Sequence, residues 1–130
     1  VSTHNEWEPW IEFFCHALAE QAAEDIRRAE RLSDLYDSYL NSISTVKRSI
    51  LPVKLLDHLF RHQIVTVPIA ANIMDISYAA AQKHVERFVK LGIVDPLEER
   101  VHPRIFVAHA IIRAIEGHAP WVTRRLFQTP

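Results

Sequence analysis

Two short groups of side chains combine hydrogen-bonding and cationic chemistry that this chain could turn outward together. The first is Ser77, Tyr78, Gln82, Lys83 and Arg87; the second is Arg100, His102 and Arg104. Ser, Tyr and Lys can hold phosphate oxygens, and a Gln amide can pair with an adenine edge. Ala79 and Ala80, between them, offer only apolar contact, for instance to a thymine methyl. No Arg stands in the first turn of the first group to take a guanine, and Glu98 and Glu99 repel phosphate beside Arg100. The pattern leaves two uses open: contact with DNA, or docking on a protein.

Other reactive residues are less well placed. His58 and His62 stand four apart, a helical spacing that can hold a metal. No Glu follows His58 and no third ligand is near, so no metal and no cofactor are expected in this chain. Cys15, beside His16, has no acidic orienting group at a workable spacing, which weighs against a nucleophile reading. Arg27, Arg28 and Arg31 alternate with Glu24, Asp25, Glu30 and Asp34 and read as a solvated helix face. The only glycines are Gly92 and Gly117. A glycine-rich phosphate loop is therefore absent, and a helix-dominated chain is expected.

The elements that must position the first two groups lie between Ile64 and Val107. Pro68 to Met74 reads as a short helix preceded by Thr66 or Val67, with Ala70, Ala71, Ile73 and Met74 on its apolar side; Pro suits a first turn. Asp75-Ile76-Ser77 reads as the turn, with Ser77 able to cap a second helix. From Tyr78 to Leu91, Ala81, Val85, Phe88 and Leu91 recur at helical steps. Gly92 is placed to end that helix in a left-handed conformation. Ile93-Val94 then reads as a strand, Asp95-Pro96 opens a loop, and Arg104 to Val107 returns as a second strand. Ile64-Val65-Thr66 reads as a third short strand. This order resembles a winged helix-turn-helix of the kind found in bacterial regulators. In that arrangement the first turns of the second helix enter a DNA groove, which is where Ser77, Tyr78, Gln82 and Lys83 stand.

Around this unit the reading is simpler. Trp7, Trp10, Ile11, Phe14, Leu18, Ala22, Ile26, Ala29, Leu32, Tyr36 and Tyr39 recur at steps of three or four, one helix ending near Asn41. Asn5 and Glu8 have capping-box spacing, and Pro9 fits a first turn. About 33 residues at ~1.5 Å each make a rod of roughly 50 Å, too long for a domain this small to cover. Trp7, Trp10, Phe14 and Leu18 therefore read as a docking face for a second copy or for a part of the protein upstream. Val46 to His62, with Pro52 in its first turn, opens the winged unit. His109 to Glu116 closes it, with Ile111, Ile112 and Ile115 inward. His84 is expected half-buried.

Bulk properties bound the rest. Apolar residues make up 48% of the 130 residues, enough for a core. The net charge of −1 argues against a wholly basic nucleic-acid binder, but its distribution is uneven. Residues 1–45 hold three Lys/Arg against nine Asp/Glu, residues 46–110 nine against six, and residues 111–130 three against one. Residues 1–45, 46–117 and 118–130 are thus read as a long helical segment, a winged helix and a tail. One Cys permits a reducing compartment. No membrane span or signal peptide stands out, and a cytoplasmic location is expected. The chain opens on Val1 rather than Met and is expected to be a fragment.

A second resemblance concerns Glu6-Trp7-Glu8-Pro9-Trp10-Ile11-Glu12-Phe13-Phe14 with Ala19-Glu20-Gln21-Ala22, then Leu55-Leu56-Asp57-His58-Leu59-Phe60 and Ile64-Val65-Thr66-Val67. These phrases resemble the region that follows the catalytic core in Fic-family protein adenylyltransferases, over residues 6–107. The family's catalytic motif, His-Pro-Phe-x-Asp/Glu-Gly-Asn-Gly-Arg, is absent. The only His-Pro, His102-Pro103, is followed by Arg104-Ile105-Phe106. The resemblance implies a non-catalytic regulatory or targeting module, binding DNA or protein and dimerising, whose enzymatic core lies upstream. The other reading is a stand-alone winged-helix transcriptional regulator that dimerises through its long helix.

Overall fold

The computed structural model describes residues 4–44, 50–97 and 102–117, with side chains from Trp7 onward. Helix α1 spans His4–Ile43, and α2 spans Leu51–His62. Strand β1 (Ile64–Thr66) leads into α3 (Val67–Met74) and α4 (Tyr78–Lys90). Strands β2 (Asp95–Pro96) and β3 (Ile105–Val107) precede α5 (His109–Glu116). The chain is mainly helical, with a long first helix and a winged helix-turn-helix carrying a small antiparallel sheet.

Helix α1 forms because three- and four-residue apolar steps run unbroken by glycine through 40 residues. It begins at His4, ahead of the expected cap Asn5, so Pro9 lies inside the helix. A helix of this length measures roughly 60 Å. Its C-terminal half belongs to the core: Ile43 is buried, and Leu32, Leu35, Tyr36, Tyr39 and Leu40 pack beside it. The Tyr36 hydroxyl donates to Asp57 Oδ1 at 2.8 Å, and Phe60 meets the rings of Tyr36 and Tyr39 edge-on. These contacts tie α1 to α2. The hydrogen bond to Asp57 and then burial raise the Tyr36 phenol above its ordinary range.

Helix α2 starts at Leu51 with Pro52 in its first turn; the expected start at Val46 lies outside the described residues. Leu55, Leu56 and Leu59 are fully buried. Gln63 ends α2 in the left-handed region, its N–H donating to Leu59 O at 2.8 Å. β3 is the central strand, flanked by β1 and β2 in antiparallel register. Val65 stands opposite Phe106, and so does Pro96. Pro96 lacks an N–H but sits on an edge strand, where none is required.

One expected strand is corrected. Ile93-Val94 is not a strand; both residues are 1% exposed and plug the core beneath α4, and pairing begins at Asp95. The cause is the helix stop. Gly92 adopts φ +76°, its N–H donates to Val89 O at 3.0 Å, and the Ile93 N–H donates to Phe88 O at 2.9 Å. This Schellman closure turns the chain inward for two residues before the wing departs.

Candidate nucleic-acid interface

The corner between α3 and α4 is set by three local devices. Thr66 Oγ1 accepts the Ile69 N–H at 3.4 Å and opens α3. Asp75 takes the left-handed conformation (φ +53°), and the Ile76 N–H returns to Ala71 O at 3.1 Å. Ser77 Oγ then accepts the Ala80 N–H at 3.2 Å and opens α4. Ile76 fills the angle, half-buried against the core. On one side of α4, Ala81, Val85 and Phe88 are at most 1% exposed. That burial fixes which side is turned out.

The outward side carries four of the five residues expected in the first group. Ser77, Tyr78, Gln82 and Lys83 are all exposed. Gln82 Nε2 donates to Glu86 Oε1 at 3.3 Å, so its amide is engaged within the helix. Lys83 has no partner among the described residues. Arg87 is placed differently: it is half-buried, and its Nη2 donates to Ile43 O at 3.5 Å, at the end of α1. His84 is half-buried, as expected, and is held below the ordinary imidazole range, first by burial and then by Arg87.

From the second group, His102 and Arg104 are exposed, and Arg100 lies outside the described residues with Glu98 and Glu99. His102, Pro103 and Arg104 face Tyr78, Gln82, Glu86 and Lys90 across an open cleft of about 400 Å³. Val67, Val85, Val89 and Phe106 also line it. Lys90 was absent from the sequence-based set. It completes a row with Tyr78, Gln82 and Glu86 at steps of four, a spacing that places it on the same helix face.

The remaining candidates separate. The rings of His58 and His62 lie 4.9 Å apart, and His58 Nε2 hydrogen-bonds Ile64 O at 3.1 Å. No cluster of three or more metal-ligating side chains occurs among the described residues. Cys15 is exposed on α1, and His16 Nε2 lies 3.0 Å from Glu20. Trp7, Trp10, Phe14 and Leu18 are 57, 57, 49 and 55% exposed. Trp10 stacks on Phe14 and meets Trp7 edge-on. No helix among the described residues is long and apolar enough to cross a membrane.

These features define a winged helix with an outward second helix and a basic-edged cleft beside its wing. No protein-family model matches the chain, and no curated protein matches it. Solved structures similar to it include RV1404 from Mycobacterium tuberculosis, at TM-score 0.42 and 14% identity, covering 92% of this chain and 82% of that one. A MarR family transcriptional regulator from Silicibacter pomeroyi stands at 0.41 and 14%, covering 95% and 74%. A MarR family protein from Bacillus stearothermophilus gives 0.39 and 16%, covering 99% and 86%. At these values the fold assignment rests on the chain's own element order and packing.

The expected kinship with Fic-family proteins is overturned. No family model supports it, and the similar structures named by family are MarR proteins. The longer phrases that suggested it are amphipathic-helix phrases, and Ile64–Thr66 is strand β1. Trp7, Trp10 and Phe14 touch one another on an exposed helix, and Leu55, Leu56 and Leu59 are core leucines. Both patterns arise in any helix with those neighbours.

Proposed function

We propose that this chain is a winged-helix transcriptional regulator that binds duplex DNA through α4 and the wing and self-associates through α1. The observation that carries the reading is the orientation of α4. Its apolar side is locked into the core, and Ser77, Tyr78, Gln82 and Lys83 are left exposed together on its first turns. An α-helix fits the major groove, and Lys83, Lys90 and Arg104 supply phosphate contacts. Arg87 serves as a positioning residue, holding α4 against the end of α1. The overhanging half of α1 supplies the self-association surface.

The test is fluorescence anisotropy of a labelled duplex at about 50 mM salt, where phosphate contacts weigh most. Binding weakened by Lys83→Ala and by Tyr78→Ala is the expected result. No binding by the intact chain, or binding indifferent to both variants, overturns the reading. Sedimentation is expected to show self-association, and a monomer at high micromolar concentration overturns that part.

A further inference from the structure

One stripe of α1 is free over a definite length. Ile11, Cys15, Leu18, Ala22, Ile26 and Ala29 recur at three- and four-residue steps along one side of the helix. All six are exposed, with Ile11 at 47%, Leu18 at 55% and Ile26 at 60%. The same line runs on through Tyr36 and Leu40, but these pack on the core, and Tyr36 is bonded to Asp57 of α2. Helix α5 occupies a different side, where Arg31 Nε donates to Ala114 O at 3.4 Å. The free stripe therefore begins at Ile11 and ends at Ala29. It measures about 27 Å, and its midpoint is level with residue 20.

The two halves of the stripe are unlike. Ile11 and Leu18 are large, whereas Ala22 and Ala29 are small. From Trp7 to Glu24 the chain holds four Glu and no Lys or Arg; from Asp25 to Arg31 three Arg stand against two acidic residues. A second copy laid parallel and in register sets Leu18 on Leu18 and Ala22 on Ala22, and brings each Glu level with its own counterpart. That arrangement crowds one layer, leaves a gap in the next and joins like charges.

An antiparallel copy behaves differently. Overlap of the whole free length sets Ile11 opposite the partner's Ala29 and Leu18 opposite the partner's Ala22. Each of these layers then holds one large and one small side chain, the condition for even packing. Glu12 comes level with the partner's Arg28. Asp25, at the edge of the stripe, keeps its own partner, Arg28 Nη1, at 3.1 Å. The arrangement is isologous, with its two-fold axis level with residue 20.

We infer that two copies of this chain pair antiparallel along Ile11 to Ala29, with Leu18 of each seated on Ala22 of the other. The inference rests on the self-association reading above and adds the direction and the register. The core of each copy then lies beyond the N-terminal end of the other copy's α1, so the two winged helices stand at opposite ends of the paired rods.

The test is a pair of electron-spin distance measurements on the full chain carrying Cys15→Ser. One sample is nitroxide-labelled at Asp34→Cys and the other at His16→Cys; both positions are exposed and lie off the stripe. Antiparallel pairing about residue 20 separates the two copies' labels along the axis by about 42 Å at position 34 and about 12 Å at position 16. The distance at position 34 is thus expected to be the longer by roughly 25 Å. Sedimentation of the same samples reports whether they are dimers. Equal distances at the two positions in a dimer mean parallel pairing, and overturn this inference while leaving self-association intact. A monomer at high micromolar concentration overturns both. The readout does not involve DNA, so failure of DNA binding leaves it intact.

Discussion

Replacing Lys83 by alanine isolates the electrostatic part of the proposed interface. Lys83, Lys90 and Arg104 are exposed around α4 and the wing cleft. Two copies bring six such cations, and at about −0.9 per neutralised phosphate the slope of log K against log salt should be about −5.4. Lys83→Ala removes two contacts from the pair of copies and should flatten the slope to about −3.6. The loss of affinity then depends on salt: about 60-fold near 0.1 M and about 9-fold near 0.3 M. It should be the same for unrelated duplex sequences, because a phosphate carries no sequence. The assay is an anisotropy titration at several salt concentrations. Arg27→Ala serves as the control, since Arg27 lies on α1, ion-paired with Glu24 at 3.1 Å. A parallel downward shift with unchanged slope, or an equal loss in the control, would refute the placement of Lys83 against phosphate.

Three further outcomes are expected. Phe88, 1% exposed, is the largest fully buried side chain of the described core; Phe88→Ala should cost about 3–5 kcal/mol, read from the denaturant midpoint. A Cβ on Gly92 meets nothing within 4 Å, so Gly92→Ala carries only the left-handed backbone cost at φ +76°. That cost is about 1–2 kcal/mol in the same assay, and Gly92→Asn should lose less. His84 holds its proton less tightly when folded than when unfolded, through burial and then Arg87. Stability therefore falls as pH drops below the ordinary His value of about 6.5, until the folded form also titrates. In a series of unfolding curves across pH, His84→Gln should flatten that acid-side decline.

Much of the fold was legible because its signals are local. Asp75, Ser77 and Gly92 each solve a backbone problem that the residue type announces: a left-handed turn, a helix cap and a helix stop. The steps through Ala81, Val85 and Phe88 then identify the inward side of α4, and with it the exposed side. Ile93-Val94 misled because two apolar residues after a glycine fit a strand or a core plug equally well. Only the tertiary packing under Phe88 decides between them. Arg87 also misled. Its spacing on α4 places it one turn beyond Lys83, and nothing local reveals that the end of α1 arrives beside it. The false kinship had the same root, because helical periodicity reports what a segment packs against and carries no ancestry.

Helix α1 also acts as a caliper arm. Ile43 is buried at its root, Arg87 fastens α4 to that root, and the Trp7 end stands far outside the core. Over roughly 60 Å, each degree of swing at the root displaces the far tip by about 1 Å. In the proposed dimer, clasping the tips of two copies would fix their root angles closely, and with them the separation of the two α4 helices. The distance between DNA half-sites would then be measured at the end of the chain farthest from the groove, by aromatic side chains that never touch a base.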